Sequence, residues 1–414
     1  MKLLSWLKRP ANILLVICTI AIATGVFFRI YNLTFPDKQV FDEVYFPVFA
    51  NNYITHTSFY DVHPPMGKFV IAVGLLLFGN DPLGWRSMPL VFGLGIIGLM
   101  GYISWSLFED KVTALITATF FAIDGAFIVY SRTGLMDGVL FFAIFFTFLL
   151  AIKLKKTSTT FWCGLLLGIA VAIKWPAVAV FLPMLWYAWK VGRWKELLAS
   201  LPFAAFVYLL IVYIGQLLIR APNALQETFL WNEQAFEYHL HVTATHPWGS
   251  PWWSWPLELR PVLFLYDTLP NGMLHVENTL GNPLIWWGAT AVVLGSTIFL
   301  AVRWVKNKLA PWDHEIFPLL LGYYALWLPW MFIHRVIFLY HYLPSYGFAL
   351  LLLAYWLGKL WKKGWHVAVI IFMILAFVVT INYLPFSVGW IPISQNRLQD
   401  MSNVKSWFGA TLNP

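Results

Sequence analysis

The sequence predicts an all-α polytopic membrane protein, and three observations carry that prediction. Of its 414 residues 60% are apolar and 11% charged, where soluble chains are about half apolar and a quarter charged. Apolar runs of membrane-spanning length recur along the chain, each needing about 20 residues to cross the hydrocarbon. Lys and Arg gather in the short loops between alternate runs, the pattern that sets orientation in a bilayer. A water-facing globule, a disordered chain and a disulfide scaffold are excluded together. The aromatic share of 19%, with 24 Trp, suits interfacial belts.

Taken in order, spans are expected near 11–31, 84–107, 112–130, 138–152, 197–219, 284–304, 316–333, 338–358 and 366–384. The stretch 161–189 is interrupted by Lys174-Trp175-Pro176. Reading it as two short arms meeting at Lys174 places the basic clusters before and after it on one side, and brings the total to about 11 crossings. Residues 65–78 are apolar but only 14 long, so they read as an interfacial or re-entrant helix in the first outer loop. The basic start and apolar core near the N-terminus have no small-residue cleavage site after them, so a retained first helix is expected. Cys18 and Cys163 both fall inside spans, which leaves no disulfide framework. No repeat or linker divides the chain, so 1–414 reads as one integral membrane domain.

With these choices sixteen of the 27 Lys and Arg lie on one face: 2, 8, 9, 111, 153, 155, 156, 190, 193, 195, 303, 306, 308, 359, 362 and 363. Only Glu109, Asp110, Glu196, Asp313 and Glu315 accompany them. The positive-inside rule makes that face cytoplasmic, with the N-terminus inside and the C-terminus outside. The net charge of +8 is thus a topology signal, and no nucleic-acid partner is expected.

The chemistry is expected in two long extracytoplasmic loops, 32–83 and 220–283, which hold most of the acids and histidines. The first carries Phe41-Asp42-Glu43-Val44 and then Asp61-Val62-His63-Pro64-Pro65. Adjacent carboxylates beside a span are costly unless they face water, and one can serve as a base whose pKa its neighbour raises. The plainer reading is a solvated loop with a helix cap at Asp42. Arg86, Arg132, Lys174 and Arg335 lie away from the short basic loops, where arginine suits a phosphate clamp and snorkelling to headgroups is the alternative. His239 and His241, two apart, suit one face of a strand or extended loop; with His246 they lack the spacing of a zinc site, so no metal is assigned. Trp253 and its neighbours in PWGSPWWSWP can stack a sugar or anchor at the interface.

The runs FDEVYFPVFANNYITHTSFYDVHPPMGKFVIAVGLLLFG, WRSMPLVFG, YSRTGLMDGVLFF and GLLLGIAVAIKWP resemble the protein O-mannosyltransferase family. YHLHVTATHPWGSPWWSWPLELRP, LGNPLIWW and FLYHYLPSYGFALLL resemble its bacterial members. The likeness runs from about residue 28 to 385. It implies a C-type glycosyltransferase fold with interfacial helices in the first outer loop. It also implies inverting transfer of mannose, or a similar hexose, from a polyprenyl-phosphate donor to Ser or Thr of exported proteins at the outer face of a bacterial plasma membrane.

By position, the resemblance makes Asp42 the catalytic base and Glu43 its catalytic neighbour. Arg86, Arg132, Tyr340 and His341 are implied for the donor phosphate, and His63 and Asp137 for substrate; His239, His246 and Trp253 join the substrate set on their own chemistry, imidazoles that hydrogen-bond substrate hydroxyls or phosphate and an indole that stacks a sugar. No resident cofactor is implied, because the lipid-linked sugar is itself a substrate; the bilayer is a partner, and the secretion machinery is a further one to expect. The 220–283 loop is too short for the large lumenal domain of the eukaryotic members. A lipid or glycan acceptor on the same fold stays open as an alternative. A transporter or flippase would show paired broken helices in two similar halves, and the sequence shows one break.

Overall fold

A computed structural model describes residues 9–154 and 157–406. Lys2, Lys8, Lys155, Lys156 and the C-terminal residues 407–414 lie outside the described residues. The chain is a multi-pass helical bundle. Among the described residues six helices are long and apolar enough to cross a membrane, Pro10–Ile30, Pro82–Phe108, Trp194–Leu218, Pro283–Lys306, Leu339–Lys362 and His366–Val388, and a bent pair makes seven. Shorter apolar helices, among them Asp137–Ile152, Ser158–Val171 and Phe317–Phe332, fill the remaining expected positions.

Helix α1 (Pro10–Ile30) leads to a long loop containing two short helices, α2 (Phe46–Thr55) and α3 (Met66–Phe78), in the loop expected to carry interfacial helices. Helix α4 (Pro82–Phe108) starts where the Asp81 carboxylate accepts from the Gly84 amide at 3.0 Å, with Pro82 in the first turn. Such a cap supplies one of the acceptors that the first helical amides lack.

The stretch 112–130, expected as one straight span, is two helices, α5 (Lys111–Ile123) and α6 (Gly125–Arg132), bent by 60°. The cause is Asp124. It leaves the helix in an extended conformation and caps α6 through the Ala126 amide at 3.1 Å. Its other oxygen accepts from the Asn282 amide at 3.0 Å and the Tyr346 hydroxyl at 2.9 Å. Partners 158 and 222 residues away in sequence cannot be read from local periodicity.

Helix α7 (Asp137–Ile152) is followed by α8 (Thr157–Val171), a 3-10 turn Trp175–Val180, and α9 (Phe181–Lys190). Lys174 meets Asp137 at one end of α7, and Tyr187 lies 5.7 Å from Phe148 near the other, so α9 runs parallel to α7. Gly164 and Gly168 lie against Ser200 and Ala204, so α8 runs parallel to the segment formed by α10 (Trp194–Ala199) and α11 (Leu201–Leu218). The arms α8 and α9 are therefore antiparallel and meet at Lys174, as the charge argument required.

The second long loop holds α12 (Ala224–His241), a 3-10 turn Trp252–Leu257, and strands β1 (Leu263–Thr268) and β2 (Leu274–Asn278). The strands form an antiparallel hairpin with Leu265 opposite Glu277, an addition to the all-α expectation. Its sequence cue is the Pro-Asn-Gly turn between two apolar runs. Helices α13 (Pro283–Asn307), α14 (Phe317–Trp327), α15 (Leu343–Lys362), α16 (His366–Val388) and α17 (Gln395–Ser406) complete the chain. Helix α15 is buried along most of its length and forms the centre of the core.

Charges sort to two ends. Lys190 pairs with Asp313 at 2.5 Å, Lys359 with Glu315 at 2.9 Å and Lys362 with Asp110 at 3.8 Å, all at the basic end. Lys38 and Asp267 pair at 2.8 Å between the two long loops at the other.

Candidate active site

Asp42 sits on a 3-10 turn, Phe41–Val44, just beyond α1. The turn is fixed from both sides. Phe41 adopts φ 47°, a left-handed conformation costly for a non-glycine residue, and its ring stacks on Phe264 of β1 at 4.6 Å. Glu43 is fully buried. Its carboxylate accepts from Arg86 Nε and Nη2, both at 2.8 Å, from the Gly134 amide at 2.6 Å and from the Val40 amide at 3.1 Å. A Cβ at Gly134 would fall 3.2 Å from the Glu43 carboxylate, so a side chain there would crowd the ion pair.

These contacts give three of the expected site residues a structural task. Glu43 faces no cavity and has its lone pairs occupied, so it holds the Asp42 turn and is not placed to take a proton. Arg86 spends the rest of its fork on the carbonyls of Leu33, Pro36 and Lys38 at 2.9–3.2 Å, leaving no donor for a phosphate. Arg132, 2% exposed, donates to the carbonyls of Phe28 and Asn32 at 2.6 and 2.7 Å. Both arginines tie the loop to the bundle. Glu277 of β2 lies close enough to feel both, yet burial pushes its carboxyl up to about 7.

Asp42 is different. Among the described residues no side chain or amide donates to its carboxylate. Burial pushes its pKa from the ordinary 3.8 to about 6; Lys174 opposes the shift, and Asp137 and Asp61 add to it. Lys174, at the break between the two arms, is held by both oxygens of Asp137 at 2.9 and 3.0 Å, and its ammonium lies 5.1 Å from the ring centre of Tyr340. Asp137 thus positions a cation at the site and has no oxygen turned elsewhere.

A cavity of about 380 Å³ opens beside this group, with apolar walls from the Lys174 break, α12 and the Phe317–Phe332 segment. Its polar lining is His63, Lys174, His239, Arg335 and His341. Arg335 donates to the Val336 carbonyl at 3.2 Å and among the described residues forms no ion pair. Burial and the surrounding cations hold His63 well below its usual 6.5, and burial with Arg335 lowers His239, so both present neutral imidazoles. His341 stacks on Tyr340 at 4.4 Å and lies 4.2 Å from Trp330.

The structure therefore brings together Asp42, His63, Asp137, His239, Tyr340 and His341. His246 is exposed and packs on Phe338 at 5.1 Å, beside Phe41, and is not among the residues lining the large cavity. Trp253 is 57% exposed and does not line the large cavity, while its neighbour Trp255 is buried beside His341. His239 and His241 are not on a strand: they end α12, where two residues turn through about 200°. His239 faces Val62 and His241 faces solvent. The sequence grouped Lys174 and Arg335 with Arg86 and Arg132 as cations suited to a phosphate clamp, and of these four only Lys174 and Arg335 line the large cavity. It missed the buried pair of Lys68 with Asp61, because Lys68 looks like one polar residue in an apolar helix.

Two profiles described as dolichyl-phosphate-mannose-protein mannosyltransferase match residues 19–87 and 62–219, and one described as the C-terminal four-transmembrane region of protein-O-mannosyltransferase matches 224–407. The polyprenol-phosphate-mannose–protein mannosyltransferase of Mycobacterium tuberculosis is 25% identical, over 73% of this chain and 72% of its own. That of Corynebacterium glutamicum is 23% identical, over 80% and 81%. In fold, the chain superposes on the Saccharomyces cerevisiae protein O-mannosyltransferase Pmt1-Pmt2 complex bound to the sugar donor with a TM-score of 0.81, at 15% identity, covering 96% of this chain and 92% of that one. The Cupriavidus metallidurans ArnT bound to undecaprenyl phosphate gives 0.57 at 15% identity, covering 83% and 61%; at such identities the likeness is one of fold, the C-type glycosyltransferase fold. With profiles spanning the first helix to the last and relatives matched over most of their length, this chain belongs to the protein O-mannosyltransferase family.

Proposed function

We propose that the protein transfers mannose, or a similar hexose, with inversion from a polyprenyl-phosphate donor to Ser or Thr hydroxyls of exported polypeptides. The reaction takes place at the outer face of a bacterial plasma membrane, with the N-terminus cytoplasmic. The observation that carries this reading is the juxtaposition of an unpaired carboxylate of raised basicity with a cation-tipped apolar cavity. The acceptor oxygen attacks the anomeric carbon as the bond to the phosphate oxygen breaks, and Asp42 takes the hydroxyl proton. The polyprenyl phosphate leaves as an anion, so it needs cations and no acid. Lys174, held by Asp137, and Arg335, free of carboxylates, supply them, while His63, His239 and His341 offer neutral hydrogen-bonding edges. The apolar walls suit the first isoprene units.

Purified protein in liposomes, given polyprenyl-phosphate mannose and a Ser/Thr peptide with or without a chelator, is expected to yield a peptide heavier by one hexose in both arms. Sugar appearing only on a lipid or glycan acceptor would select the alternative reading. In the same assay Arg335→Gln is expected to raise the donor KM by tenfold or more, since a hydrogen bond to a charged group contributes about 1.5–3 kcal/mol, with the peptide KM unchanged. An unaltered donor KM would remove Arg335 from the phosphate site.

A further inference from the structure

Helix α12 follows the α11 span, and its surface divides into three sectors. Leu225, Phe229, Phe236 and Leu240 are 55–62% exposed and, at about 100° per residue, fall within roughly 60° of the circumference. Glu233, Glu237 and His241 occupy the adjoining exposed sector. The third sector is packed. Trp231 donates to the Asp61 carbonyl at 2.7 Å, His239 lies 3.3 Å from the Val62 carbonyl, and Asn232 accepts from the Tyr208 hydroxyl, which itself receives Trp175 Nε1 at 2.9 Å.

The packed sector also fixes depth. Trp231 and Ala235 cluster with Val212, and Tyr208 packs beside them. Val212 and Tyr208 lie six and ten residues before Leu218, the last residue of the α11 span, which at 1.5 Å per residue is about 9 and 15 Å inside it. Helix α12 therefore runs beside the final turns of a membrane span and not above them. Its apolar stripe continues the exposed surface of that span, where Ile214 and Leu217 are 39% and 50% exposed. Phe236 and Leu240 reach the rim of the large cavity.

We propose that α12 is seated in the leaflet at the active-site end, with Leu225, Phe229, Phe236 and Leu240 among the acyl chains and its acids in water. Seated there, it forms a membrane-embedded wall of the cavity, and its contacts with the Asp61 and Val62 carbonyls join the bilayer to the loop beside the site. A helix with one apolar and one charged face takes up this position in an interface. Continuity with the lipid-facing span selects acyl chains as the occupant over a protein partner.

The two cysteines, Cys18 and Cys163, are buried, so single nitroxide labels can be placed at exposed sites of the full-length protein. Phe229→Cys, Phe236→Cys, Glu233→Cys and Glu237→Cys, labelled one at a time in phosphatidylcholine liposomes, are compared for relaxation by oxygen and by a water-soluble nickel chelate. Oxygen is expected to dominate at 229 and 236 by several-fold, and nickel at 233 and 237. Leu225→Cys and Leu240→Cys report on the same stripe if either phenylalanine variant fails to fold. Nickel access at 229 and 236 equal to that at 233 and 237 would overturn the proposal. So would shielding from both reagents, with dipolar broadening identifying a second copy as the cover. Turnover is not part of the measurement, so a negative result leaves the transferase reading standing.

Discussion

Asp42→Asn is expected to reduce kcat by about 10²–10⁴-fold, the usual contribution of a positioned general base, while the protein inserts and stays monodisperse. Asparagine keeps the shape of the carboxylate and removes its basicity, and none of the described residues donates to the Asp42 carboxylate, so no hydrogen bond is lost with it. A variant with normal turnover would remove Asp42 from the base role. The pH dependence tests the same assignment with no substitution. A carboxyl raised from 3.8 to about 6 holds its proton more tightly in the folded state. Its contribution to folding stability is therefore complete below about 4 and is lost as pH rises through about 6. Catalysis needs the ionised form, so kcat/KM should climb tenfold per pH unit below about 6 and level off above it. The site thus becomes active over the pH range in which the fold gives up that stabilisation. A profile flat from pH 5 to 8 would contradict it.

The second large effect is on folding. Removing one partner of a buried ion pair leaves an uncompensated charge and typically costs about 3–5 kcal/mol. Arg86→Ala and Glu43→Gln are each expected to lose about that much, seen as a lower unfolding temperature and poor recovery from detergent. Arg86→Lys should not rescue, because an ammonium cannot reproduce a fork that reaches one carboxylate and three carbonyls. The double variant Glu43→Leu/Arg86→Met should be more stable than Arg86→Ala, since no lone charge remains. Arg86→Ala that folds normally and merely raises the donor KM would restore the phosphate role implied by the family resemblance and dismiss the structural one.

Arg86 and Asp42 also mark where sequence reasoning reached and where it stopped. Both stood out for the same reason, that charge is scarce in this chain and each charged residue at a membrane boundary asks for a cause. Which cause applied depended on partners 43 residues apart for Glu43 with Arg86 and 91 for Glu43 with Gly134. The outcomes were opposite: Glu43 and Arg86 satisfy one another inside the protein, and Asp42 is left without a donor. The same holds for Arg132, whose carbonyl partners Phe28 and Asn32 lie in the last turn of α1 and just beyond it, and for Asp124, whose distant partners bend a span that looked straight.

The sequence by itself determined that the chain is a membrane bundle, where most spans begin and end, that the 161–189 stretch breaks at Lys174, and which loop carries the acid. Those properties follow from local hydropathy and from the sidedness of a few charges, and neither needs to know what touches what. Tertiary structure alone decided which charged groups are spent and which are free. A buried ion pair and a catalytic carboxylate are made of the same residue types, and only the distance to a donor separates them.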